Sequence, residues 1–129
     1  VSAPVTNALA DYVPWLRVSD DDHRLRIVLH DFGLVWHDSP RDGRLGLVTD
    51  EPERFDQRWD ALLAAYVEHR CWHDGLSAPD WVFHRSRYLS GFWYPGRALA
   101  SLRVEAVVHS PAAFEVHGVL LPERELMVV

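Results

Sequence analysis

The stretch DQRWDALLAAYVEHRCWHDG, residues 56–75, decides the fold. Within it Trp59, Leu62, Leu63, Tyr66, Val67 and Arg70 fall at i, i+3, i+4, i+7, i+8 and i+11, the spacing that stacks side chains on one face of an α-helix. Asp56 can accept from the free N–H groups at the start, and Gly75 can take the left-handed conformation that ends a helix. The spacing predicts a helix from Asp56 to just before Gly75 and puts it at the centre of the core. Arg70 falls inside the apolar stripe, so it needs an acidic partner or marks where the stripe leaves the core.

The chain before this helix reads as further helices with short connectors. A first one runs from about Pro4 to Val13, capped by Ser2 and ended by Pro14, with Val5, Leu9 and Tyr12 on one face. A second starts at Ser19, which with Asp22 has the form of a capping box, while Asp20 and Asp21 favour the positive end of the helix dipole. Leu25, Val28, Leu29, Phe32, Val35 and Trp36 then recur at helical spacing, with Gly33 as the weak point. Ser39 and Pro40 predict a short helix that carries Leu45 and Val48 up to Asp50, followed by the acidic connector Asp50, Glu51, Pro52 and Glu53.

After Gly75 the texture changes to a dense aromatic region of Trp81, Phe83, Tyr88, Phe92, Trp93 and Tyr94, closed by Pro95. A short helix from about Ser86 to Tyr94 is expected there. Another covers Leu99 to Val108, a third follows Ser110 and Pro111 until Gly118, and a last turn spans Glu123 to Met127. No alternating pair of segments exists to build a sheet. The expectation is an all-α single domain, a compact irregular bundle of about five or six helices.

Composition bounds the function. The chain has 129 residues, of which 48% are hydrophobic and 25% charged, a globular balance with room for one ordinary core. Its net charge is −6, and all 13 basic residues are arginines scattered from Arg17 to Arg124, which speaks against nucleic acid because a duplex binder needs a concentrated basic face. No window approaches the roughly 20 apolar residues of a membrane span. The lone Cys71 cannot form an internal disulfide, and no signal-like start is present, so the expected location is cytoplasmic.

Eight histidines invite a metal reading, and His69 with His73 stand at i, i+4 on the central helix, where two rings can reach one ion. A zinc site needs further ligands. Cys71 points about 200° away from the pair, and Asp74 sits at the helix end. The rings fall on the border of the apolar stripe, the usual place for half-buried histidines that donate to a backbone carbonyl. Cys71 lies near a helix C-terminus, where the dipole disfavours a thiolate, so it reads as packing and not as a nucleophile. Asp20, Asp21 and Asp22 read as a cap. No G-x-S-x-G elbow, phosphate-binding glycine loop, CxxC pair or HExxH motif occurs.

Six tryptophans exceed what a core of this size requires, and tryptophan concentrates at binding hot spots. Trp36 and Trp59 fall on apolar stripes. Trp72 lies about 220° around the helix from Trp59; packing beneath the segment from Trp81 to Trp93 is the favoured placement, and partner contact is the alternative. Trp93 and Tyr94, just before Pro95, are read the same way.

The segments RWDALLAAYVEHRCWHDGLSAPDW (Arg58 to Trp81), FWYP (Phe92 to Pro95) and LRVEAVVHSPAAFEVHGVLL (Leu102 to Leu121) resemble an uncharacterised family of actinobacterial proteins. Its members occur alone or as a module after a helix-turn-helix domain, and some resemble antitoxin or regulator components encoded beside a toxin such as a nucleotidyltransferase. The resemblance implies a regulatory protein partner and supplies no catalytic or binding residues. Two expectations follow. The first is a non-enzymatic protein-interaction module, antitoxin-like or regulatory, without a cofactor and with Trp72, Trp93 and Tyr94 as contact candidates. The alternative is a small metal-binding protein or enzyme built on His69 and His73, with His109 or His117 supplied from the C-terminal segment.

Overall fold

The computed structural model describes residues 8–95 and 100–126, with the backbone alone at 100–102. Its central element is the helix read from the sequence, α5 (Gln57–His73). The Asp56 carboxylate accepts from the backbone N–H groups of Arg58 and Trp59, and Gly75 takes a φ of +67° just past the end. The buried surface is wider than one stripe. Trp59, Leu62, Leu63, Tyr66 and Val67 are buried as expected, and so are Ala61, Ala64, Ala65 and Cys71, because neighbours cover the helix on several sides. Each large apolar side chain removed from water in this way contributes about 1.5–3 kcal/mol. The three alanines leave room for neighbouring backbone to approach closely.

The N-terminal layer packs on one side. A 3-10 turn, Leu9–Tyr12, leads into α1 (Val13–Arg17), with Pro14 at its start. Pro14 therefore opens a helix where a missing N–H costs nothing, instead of ending one as its sequence context suggested. The expected helix over residues 4–13 lies partly outside the described residues. Next come α2 (Asp21–Arg26), a π-helical stretch Ile27–Phe32, and α3 (Gly33–Asp38). Asp20, and not Ser19, is the cap: its carboxylate accepts from the His23 N–H at 2.8 Å, while the Ser19 hydroxyl donates back to the Trp15 carbonyl. Gly33 is buried inside the helix at a φ of −57°, and the irregularity falls just before it, where Ile27, Val28, Leu29 and Phe32 are all buried. Phe32 meets Tyr66 of α5 edge to face.

Two ties fix this layer to both ends of α5. The Trp59 indole N–H donates to Asp21 at 3.0 Å, and the Trp36 indole N–H donates to Asp74 at 2.8 Å. The short α4 (Arg41–Arg44) closes the second end, with Arg44 paired to Asp74 and Arg41 donating to the Asp74 carbonyl. Pro40 is its N-cap, and the Ser39 hydroxyl turns back to the Val35 carbonyl.

The C-terminal layer covers the other side. The expected helix over residues 86–94 is absent: two 3-10 turns, Asp80–Phe83 and Arg85–Arg87, give way to extended chain. The backbone partners of that chain lie far along the sequence. Leu89 N–H donates to the His117 carbonyl, Trp93 N–H to the Gly118 carbonyl, and Leu120 N–H to the Trp93 carbonyl, forming a single parallel bridge between Trp93 and Val119. No strand occurs among the described residues, so the fold is all-α. Helix α6 (Ala100–His109) and α7 (Ala112–His117) follow, and Gly118 ends α7 at a φ of +89°. A final 3-10 turn, Glu123–Leu126, folds over the end of α5, where the Leu126 carbonyl accepts from Arg70. Arg70 is thus satisfied by this carbonyl and the Tyr66 hydroxyl, not by an acidic partner.

Candidate functional site

The three aromatic contact candidates are not brought together. Trp72 is 75% exposed near the C-terminal end of α5, so the packing beneath the aromatic segment expected for it does not occur. Trp93 is half-buried and meets Trp59 edge to face at 5.2 Å, at the other end of α5. Roughly 20 Å of helical rise separates Trp59 from Trp72. Tyr94, also half-buried, lies beneath the Arg103 guanidinium.

Trp72 stands at the lip of a recess of about 360 Å³ between α5 and α7. Pro111, Ala112, Ala113 and Val116 supply its apolar wall, and Glu68 and Glu123 its acidic rim. Val116 is 63% exposed. On the preceding α6, Val104, Val107 and Val108 are exposed at i, i+3 and i+4 and form a second apolar face. A second recess of about 420 Å³ opens on the other flank of the α5 end, bordered by Trp36, His37, Arg44, Arg70, Asp74 and Leu126. His69, His73 and Glu123 line both recesses.

The two histidines of α5 are held differently from His117 of α7. His117 is fully buried, with Nδ1 against the Arg87 carbonyl at 2.7 Å, Nε2 against Glu68 at 2.9 Å and the Tyr88 ring stacked on its face. Both of its nitrogens are engaged, so it is not an extra ligand for the α5 pair. His69 is 5% exposed and makes no hydrogen bond among the described residues, against the expectation of a backbone carbonyl partner. Its neighbours are rings: His73 at 4.4 Å and Phe114 at 5.8 Å between centroids. Burial, with the charges of His73 and Arg70, pushes the His69 pKa down to about 4, so this imidazole is neutral at pH 7. Among the described residues no three His, Cys, Asp or Glu side chains stand together as a ready metal cage.

The remaining candidates are structural. Burial and Asp74 push the Cys71 thiol up to about 11, the opposite of an activated nucleophile. Asp20 caps α2, and Asp21 accepts from Trp59 and Arg24. Sequence reasoning did not find Arg87, which is fully buried: it pairs with Glu51 at 2.9 Å, donates to the Pro52 and Asp60 carbonyls and lies over the Trp81 ring. It also did not find Glu68, Val116 or Glu123 as walls of the recess, because residues on three separate elements share no sequence period.

No protein-family model matches the chain, and neither a curated protein nor a solved structure matches it. The resemblance drawn from the segments above therefore rests on those residues alone.

Proposed function

We propose that this chain is a non-enzymatic protein-interaction module, an antitoxin-like or regulatory partner, and that Trp72 anchors its partner. The observation that carries this reading is the exposure of Trp72 at the lip of an apolar recess, on a helix whose other large apolar side chains are buried. A tryptophan carries 150–250 Å² of surface, on the order of a few kcal/mol when a partner covers it. The neighbouring Val116 and the valines of α6 widen the apolar area, and Glu68 and Glu123 favour a partner that sets a basic side chain beside its apolar anchor.

Co-purification at natural expression level from the native cell, followed by gel filtration and mass spectrometry, tests the reading. One stoichiometric protein is expected with the wild type. Trp72→Ala is expected to weaken its binding by about 2 kcal/mol, roughly 30-fold in Kd. Val18→Ser, which alters an exposed side chain near the opposite end of α5, is expected to keep the partner. A chain that elutes alone, or a partner held equally well by Trp72→Ala, defeats the reading.

A further inference from the structure

We infer that His69 and His73 form a two-histidine clip for one borderline divalent cation of the zinc, copper or nickel class. The inference does not rest on the partner reading. Both rings project from the last turns of α5, one helical turn apart, with centroids 4.4 Å apart. The rings meet edge to face, and helical i, i+4 spacing on a core-buried element sets two imidazoles side by side on one face without ordering a loop.

The unusual member is His69. Its ring is packed among other rings and lines both recesses, and its nitrogens, unlike those of His117, are tied to no protein group among the described residues and keep solvent access. The charges around the pair are mixed. Arg70 opposes a cation, while Glu68, Asp74 and Glu123 border the recesses and favour one. Asp74 is held by Arg44 and Trp36, and Glu68 by His117, whereas Glu123 is exposed and has no ion pair among the described residues.

The site is an open one. Two imidazoles fill half of a tetrahedral shell, and water or a side chain from outside fills the rest. Neutral imidazole ligands select borderline metals over magnesium or calcium, which prefer oxygen.

Titration of the untagged chain with Zn²⁺ by calorimetry, and with Cu²⁺ by electron paramagnetic resonance, tests the clip. One ion per chain is expected, with a copper signal split by two imidazole nitrogens. His73→Ala alters an exposed side chain, so the fold persists, and it is expected to weaken binding about tenfold or more and to leave one coupled nitrogen. His69→Asn is expected to do the same. His30→Ala and His84→Ala, at exposed sites on other elements, are expected to leave the affinity unchanged. Trp72→Ala is expected to keep the ion even where it loses the protein partner, which separates this inference from the preceding one. The absence of saturable binding, or equal affinity in His73→Ala, overturns the clip.

Discussion

At the scale of single residues, the chain's chemistry is set by which buried polar groups have partners. His69 shows one side of this, because its ring packs against Phe114 and His73 and no protein group among the described residues donates to or accepts from its nitrogens. Its folded-state pKa of about 4 lies below the ordinary 6.5, so between these values the unfolded chain binds a proton that the folded chain refuses. The sign follows. Stability is full above pH 6.5 and falls as the pH drops toward 4, by at most about 3 kcal/mol for this one group. Urea unfolding at pH 7 and pH 4 measures it: the wild type is expected to lose more stability than His69→Asn over that interval, and equal losses would show that the ring is not desolvated.

At the scale of elements, α5 and α7 both end where backbone geometry demands glycine, and the two positive-φ glycines are not equivalent. Gly75, at +67°, has open space beyond the Arg41 side chain at 3.4 Å. Gly118, at +89°, has none, since a Cβ there would meet the Leu89 Cβ at 2.8 Å and the Gly91 carbonyl oxygen at 2.9 Å. Gly75→Ala is expected to cost about 1 kcal/mol, and Gly118→Ala about 3 kcal/mol because a clash adds to the strained φ. Thermal unfolding of the two variants checks the order. The same elements show what was legible beforehand. Helix α5 could be read because its cap, period and terminal glycine agree locally, and the spacing of His69 and His73 came with it. The segment from Trp81 to Tyr94 could not, because its backbone partners are Gly118 and Leu120 and its aromatic density carries no period. Ser19 and Asp20 compete for one cap position, which spacing alone does not resolve. The exposure of Trp72 was open for a similar reason: an angle around a helix says which way a side chain points, not which layer arrives there.

At the scale of the whole molecule, both layers are built on α5, and Arg87 joins the connector before that helix to the layer that follows it. Its guanidinium holds Glu51 and the Pro52 and Asp60 carbonyls, and its own carbonyl accepts from His117 of α7. The two carboxylates beside it respond differently. Burial pushes Glu51 up, but the hydrogen bond and charge of Arg87, with His84 and Arg54, outweigh it and hold Glu51 below its usual value. Burial dominates at Asp60 and raises it, with the Phe55 N–H and Arg87 opposing. Arg87→Met keeps the stem over Trp81 and removes the charge, so it leaves the part-buried Glu51 and the buried Asp60 carboxylate, 3.8 Å from the guanidinium, without their cation and two carbonyls bare. Breaking a buried pair in this way is expected to cost about 3 kcal/mol, or roughly 10 °C in Tm. The loss is expected to be larger at pH 7 than at pH 4. Without Arg87, Glu51 loses the stability it contributes above its unfolded pKa, and the Asp60 pKa rises further, a shift that removes stability as the pH increases. Because α5 is shared, the transition is expected to remain a single one. Calorimetry of the wild type and Arg87→Met at both pH values decides the point: a split transition in the variant would mean that this guanidinium, and not α5, couples the two layers, and a loss independent of pH would mean that Glu51 and Asp60 do not answer to it.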